Sequence, residues 1–174
     1  NWLPTLARLN EANIHIDDRA YLKVSQMRAS ARKVIQQNPD LQPIILVDYL
    51  QITQPDNPKA NPVTQMGQIS RDLKRMAKEF NCPVVALSQL SRSVEQRQDK
   101  RPMMSDLRDS GNLEQDADVI CFLYREDYYD KETEDANSLE IIISKQRNGP
   151  TGAVKVAYRK TTGRLISIDW GTIR

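Results

Sequence analysis

Ile44–Leu50 reads IILVDYL and directly follows Pro43. Four apolar residues in a row, with no polar alternation, make the pattern of a strand buried in a parallel sheet. Val84–Leu87, after Pro83, reads the same way. Between the two runs, Met66, Ile69, Leu73, Met76, Ala77 and Phe80 recur at steps of three and four, which is helical spacing. Thr64 is the expected N-cap of that helix, and Asn81-Cys82-Pro83 its stop. Strand, helix and strand in this order predict an α/β sheet with right-handed crossovers.

Outward from this unit the pattern continues. Ser25 is a good N-cap for a helix running to Gln37 and ended by Asn38-Pro39, and Leu22–Val24 reads as a short strand. Gln54–Pro62 holds three prolines and no periodicity, so it is a loop. Val119–Tyr124 (VICFLY) and Leu139–Ser144 (LEIIIS) read as a third and a fourth strand. Ala153–Tyr158 and Arg164–Ile168 both alternate, and Thr161–Gly163 separates them, which predicts an antiparallel hairpin at one edge. Gln89–Asp116 is long, polar and without regular pattern; a loop of that length inside a compact domain is usually functional.

Composition narrows the chemistry. The 174 residues point to one domain, 39% hydrophobic and 28% charged. No apolar run approaches the roughly 18 residues of a membrane span, and NWLPTLARLN does not read as a signal peptide. Two cysteines, Cys82 and Cys121, cannot build a disulfide framework or a zinc cluster, and the single His15 excludes a poly-histidine metal site. None of the six glycines forms a GxxxxGK[ST] or GxGxxG phosphate loop. The net charge of +2 hides a division. Ser144–Arg174 carries seven basic residues and one acid, a net of +6, and leaves −4 on the remainder. Six acids concentrate in Glu126–Asp135, a block that reads as a solvated loop.

Four features could carry function. Asp48 closes the strand IILVD, and ligands of open α/β sheets bind outside the carboxyl ends of strands. A carboxylate there can hold magnesium beside a nucleotide phosphate; a satisfied strand-end cap is the plainer reading. Gln89 occupies the same place after the next strand, where an amide can contact a γ-phosphate or simply bond its own loop. Lys145 and Arg147 lie two residues apart in an extended segment, so they point to one side. A point charge and a planar fork together suit phosphoryl transfer; the alternative is an exposed basic turn. Finally, Ser88–Asp118 carries Arg92, Arg97, Lys100, Arg101 and Arg108, the cations a loop would use to track nucleic-acid phosphates. Gly111 would allow close backbone approach there. Glu95, Asp99, Asp106 and Asp109 dilute the field, and no aromatic between Phe80 and Phe122 offers stacking.

Taken together the segments are far more specific. LVDYLQI at Leu46–Ile52 resembles the Walker B strand of bacterial replicative DNA helicases of the DnaB type. LSQLSRSVEQRQDKRPMMSDLRDSGNLEQDADVI at Leu87–Ile120 resembles that family's most characteristic stretch, and KQRNGPTG at Lys145–Gly152 its arginine-finger segment. Order and spacing agree, and the resemblance runs from Trp2 to Ile168.

The resemblance implies a RecA-like α/β domain, a mostly parallel twisted sheet flanked by helices with an antiparallel hairpin at its C-terminal edge. Residues 1–174 would form part of such a domain, its first strands missing. It implies a cytoplasmic homo-hexamer around single-stranded DNA, using ATP and Mg2+, with replication partners such as primase and a loader and no membrane. Residue by residue, Asp48 matches the metal-holding aspartate and Gln89 the γ-phosphate sensor. Arg147 matches the arginine finger and Lys145 its companion, both directed at the neighbouring subunit's ATP. Arg108, Asp109 and Gly111 match the DNA-contacting loop. The family's Walker A loop and catalytic glutamate would lie upstream of Asn1, so the chain alone is expected to be inactive for ATP hydrolysis. Two other readings remain: a RecA-type ATPase that is not a helicase, and a non-catalytic module that holds single-stranded DNA or a partner.

Overall fold

The computed structural model describes residues 11–107 and 111–168, together with Leu6, Arg8 and Leu9. Trp2, Arg108, Asp109 and Trp170 lie outside the described residues.

Helix α1 spans Val24–Gln37. It starts before Ser25: Lys23 takes the N-cap position, and its backbone N–H donates to Gln26 Oε1 at 3.0 Å. The strand expected at Leu22–Val24 is therefore absent. The Leu22 carbonyl accepts from the Gln54 N–H instead, and Val24 turns its side chain into the core. Asn38 ends the helix as expected, its side chain donating to the Val34 carbonyl at 2.9 Å.

Strand β1 (Ile45–Val47) pairs in parallel with β2 (Val84–Ala86), and α2 (Pro62–Phe80) crosses between them. Asn61, not Thr64, caps α2: its side chain accepts the Thr64 N–H at 2.8 Å, and Pro62 occupies the first turn, where no donor is needed. Asn81 closes the helix in the left-handed conformation, φ 48°. The apolar stripe of α2 seats Met66, Ile69, Leu73 and Met76 against Val24, Val47, Leu50 and Leu113. Met76 is fully enclosed, and burying such a side chain is worth about 2 kcal/mol. The expectation of burial on both strand faces fails in part. Leu46 is 74% exposed, and Val85 and Leu87 are also bare. Among the described residues, helices cover only one face of this pair.

Two short helices follow β2: α3 (Gly111–Asp116) at the end of the long loop, and α4 (Glu126–Tyr129) at the start of the acidic block. Four strands form a second sheet in the order β3 (Val119–Tyr124), β4 (Ser138–Gln146), β5 (Gly152–Arg159), β6 (Arg164–Ser167). The hairpin expected at the C-terminal edge is β5–β6, turned at Gly163 with φ +65°. Antiparallel pairing reaches further than the sequence suggested, since β3–β4 and β4–β5 are antiparallel too. Among the described pairs only β1–β2 is parallel. The class is α/β, with parallel and antiparallel parts. Ile120 and Phe122 of β3 face inward with Leu107, and Leu90, Met104 and Ile142 pack against them. No described helix is long and apolar enough to cross a membrane.

The acidic block is not simply solvated. Asp127 of α4 is only 2% exposed. It accepts from Lys160 at 2.7 Å, from Arg125 at 3.0 Å and from the Asn137 N–H at 2.9 Å. Asp135 pairs with Lys155. The acidic block thus neutralises part of the basic C-terminal segment.

The Lys160 ammonium, the Asn137 N–H and the Arg125 guanidinium hold the Asp127 carboxyl down at about 2. A carboxyl depressed on folding stabilises the fold above its unfolded value of about 4 and loses that contribution as pH falls through the folded value. Denaturant unfolding from about pH 5 to about pH 2 should show wild type losing more stability than Asp127→Asn. Parallel losses in the two proteins would contradict this pairing.

Candidate functional site

The ends of β1 and β2 are joined in an unusual way. Leu87 donates its N–H to the Val47 carbonyl at 2.9 Å and accepts the Leu50 N–H at 2.9 Å. Leu87, the residue after β2, thereby spans the three peptide units from Val47 to Leu50, and Asp48 and Tyr49 are pushed out of the ladder. Their shared peptide bond is cis. Asp48 is exposed and Tyr49 half-buried. A single turn of 3-10 helix, Leu50–Ile52, follows. Its Gln51 reaches across to the segment after β2, donating to Ser88 Oγ at 3.0 Å and accepting the Gln89 N–H at 3.2 Å. Gln89 is itself exposed. The structure therefore brings Asp48 and Gln89 together at neighbouring strand ends.

Asp48 has no ion pair among the described residues. Nor is there a described cluster of three metal-ligating side chains. A lone, outward carboxylate suits magnesium, which keeps several waters and takes one or two carboxylates beside phosphate oxygens. The described residues fit that part of a nucleotide site. They supply no glycine-rich cradle for the phosphates.

Lys145 and Arg147 converge elsewhere. Lys145 lies within β4, and Arg147 opens the turn after it. Both reach the C-terminal end of α3. Arg147 Nη2 donates to the Gln115 carbonyl at 2.7 Å, and Lys145 Nζ to the Glu114 carbonyl. Cations are favoured there, because the last carbonyls of a helix are unpaired and carry partial negative charge. Asp118 completes the arrangement. Its carbonyl accepts the Arg147 N–H at 2.9 Å, and its carboxylate lies 3.4 Å from Arg147 Nε and also pairs with Lys74 of α2. Lys74 above all, then Arg147 and Lys145, keep the Asp118 carboxyl below the usual carboxylate range. Among the described residues no hydrogen bond or ion pair joins this group to Asp48 or Gln89.

The loop between β2 and β3 is bonded to itself where described. Leu90 and Leu107 form an antiparallel bridge, and the Ser91 N–H donates to the Asp106 carbonyl at 2.8 Å. The Asp106 side chain is buried and takes a two-pronged contact from Arg97 at 2.9 and 2.8 Å. Arg101 pairs with Glu140 of β4 at 2.6 Å, and Lys100 donates to the Glu95 carbonyl at 2.7 Å. The expectation that these cations track phosphates is corrected: Arg97, Lys100 and Arg101 staple the loop to itself and to the sheet. Arg92 remains exposed. Gly111 begins α3 in open space, while Gly67 of α2 lets Asn112 lie so close that an added Cβ would sit 2.6 Å from its amide. The loop's tip, with Arg108 and Asp109, is outside the described residues.

Sequence reading missed Gln51, Asp118 and Lys74. Gln51 lies inside the LVDYLQI stretch, three residues after Asp48. Asp118 reads as one acid among many until β3 and α2 are folded together. Both members of the Arg147–Asp118 pair are half-exposed, so Arg147→Ala should change unfolding stability by less than about 1 kcal/mol. A much larger loss would make Arg147 a structural staple rather than a side chain able to leave its parking place.

A family model for the DnaB-like helicase C terminal domain matches residues 2–167. The replicative DNA helicase DnaC of Bacillus subtilis is 51% identical over 165 residues, and DnaB of Geobacillus stearothermophilus is 50% identical over the same length. Each alignment takes in 94% of this chain and 36% of the relative, so the chain spans about a third of their length. Among solved structures, a DnaB-like replicative helicase studied for its interactions with primase superposes with a TM-score of 0.93 at 48% identity, over 96% of this chain and 41% of that one. A second solved structure, an ATPase domain, gives 0.94 at 48% identity, over 96% of this chain and 59% of that one. The chain belongs to the DnaB-like helicase C-terminal domain family.

Proposed function

We propose that this chain is the C-terminal motor portion of a replicative, ATP-dependent DNA helicase that works as a cytoplasmic homo-hexamer on single-stranded DNA. The observation that carries the reading is the division of its polar groups. Asp48 and Gln89 share one end of the parallel pair, whereas Lys145 and Arg147 converge on the C-terminal end of α3, and no described hydrogen bond or ion pair joins the two groups. Such a division suits a nucleotide held between two subunits.

In this reading Asp48 would hold Mg2+ beside the ATP phosphates, since its carboxylate has no ion pair among the described residues. When bound, the ion neutralises charge on the ATP phosphates. Gln89 presents its amide to the γ-phosphate from a backbone fixed at both ends. Arg147 leaves the Gln115 carbonyl to place its planar fork on the neighbour's ATP, with Lys145 beside it as a point charge. Arg108 and the backbone at Gly111 contact DNA phosphates. Asp109 cannot attract a phosphate, so it orients Arg108 or offers its amide. None of the six glycines forms a phosphate cradle, so in this reading that element is supplied from outside these residues. Primase and a loader are the replication partners.

The rival reading, a non-catalytic nucleic-acid module, rests on the missing phosphate loop and on the basic loop, and the second of these is weakened. Three of the loop cations it would use are spent within the fold. The purified chain should show no magnesium-dependent ATP turnover. Combined with a polypeptide that supplies the P-loop, it should hydrolyse ATP, and Arg147→Ala should lower that rate by about 10³-fold or more. Turnover by the chain alone, or an Arg147→Ala protein as fast as wild type, would refute the assignment.

A further inference from the structure

Gln89 can report on a phosphate only if its side chain is free while its backbone is fixed, and the residue that fixes it is Gln51. The Gln51 amide uses both of its functions on this one task. Oε1 accepts the Gln89 N–H at 3.2 Å, and Nε2 donates to Ser88 Oγ at 3.0 Å and toward the Gln89 carbonyl at 3.4 Å. The Gln89 N–H requires an acceptor, which settles which way the amide faces. Gln51 thus clasps both backbone polar groups of Gln89 and leaves the Gln89 side chain exposed. The clasp grows from the same turn that displaces Asp48. Leu50 bonds Leu87, Thr53 N–H closes the turn on the Leu50 carbonyl at 3.0 Å, and Gln51 projects between them. Asp48 and Gln89 are therefore coupled through one side chain as well as through the sheet.

We propose that Gln51 is a positioning residue: by pairing with the Gln89 backbone it fixes the γ-phosphate-sensing amide relative to the Asp48 carboxylate. The inference rests on the nucleotide reading of Asp48 and Gln89. No shorter or apolar side chain can replace it. Asparagine lacks the reach, and leucine leaves the Gln89 N–H without its acceptor. Misplacement of a reacting contact by about 1 Å can cost up to about 100-fold in rate, whereas a half-buried neutral pair contributes little to global stability.

The test is steady-state ATP hydrolysis by the full-length protein carrying Gln51→Leu, Gln89→Ala or both, with unfolding midpoints measured alongside. Gln51→Leu should lower kcat by roughly tenfold, with KM for ATP within about twofold of wild type and an unchanged unfolding midpoint. The double variant should be no slower than Gln89→Ala, since a residue acting only through Gln89 has nothing left to position. If Gln51→Leu does not fold, Gln51→Met, of similar length but without the amide, should show the same pattern. Multiplying losses in the double variant, or a wild-type kcat in the single one, overturns the proposal. A Gln89→Ala protein with wild-type kcat removes the underlying site reading and the positioning role with it, a result distinct from failure of Gln51 alone.

Discussion

Two backbone hydrogen bonds to Leu87 organise the candidate site. In a regular parallel ladder the N–H and C=O of one residue bond to partner residues two apart; here Leu87 bonds Val47 and Leu50. The extra residue has nowhere to go within the sheet, so Asp48 and Tyr49 stand out from its end. This requires β1 and β2 to be adjacent, which in turn requires α2 to return the chain and bury its stripe at Met66, Ile69, Leu73 and Met76. The same helix carries Lys74, which pairs with Asp118, and Gly67, which admits Asn112 of α3. One helix thus supports both the strand ends and the surface on which Arg147 rests.

Charge is arranged by pairing rather than by broad fields. The basic C-terminal segment faces the acidic block through Lys155–Asp135 and Lys160–Asp127, so part of its apparent excess is spent internally. Lys145 and Arg147 differ. Their nitrogens rest mainly on helix carbonyls, which are weaker partners than a buried carboxylate. In the proposed function this difference separates cations that hold the fold from cations that can move to a phosphate.

Much of this was legible in the sequence, for identifiable reasons. The unbroken run ILV after Pro43 located β1 by its apolar, β-branched content, although Leu46 is exposed, and the helical spacing from Met66 to Phe80 located α2, because burial of one helix face dictates that period. Strand-end placement of Asp48 and Gln89 followed from position alone. Long-range pairing was not legible. Nothing local in VICFLY says whether its neighbour runs parallel or antiparallel, and β4 lies beyond an acidic loop. The caps were misplaced at both helices because Ser25 and Thr64 are good cap residues, while Gln26 and the Asn61-Pro62 pair closed each start earlier. The pairing of the loop cations was not legible because Asp106 reads as a diluting charge until the loop closes, and Glu140 lies on β4, beyond the acidic block. Gln51 was invisible as a positioning group, since its role exists only once β2 lies beside β1.

In the proposed function, Asp48 and Arg147 of one chain serve different nucleotide sites. Mixing assembled full-length proteins, one carrying Asp48→Asn and the other Arg147→Ala, tests it directly by ATP hydrolysis. Each variant alone should be inactive, and subunit exchange should restore activity, because an Asp48→Asn subunit still offers its finger to an Arg147→Ala neighbour with an intact carboxylate. A mixture that exchanges subunits yet stays as inactive as its components would contradict the account.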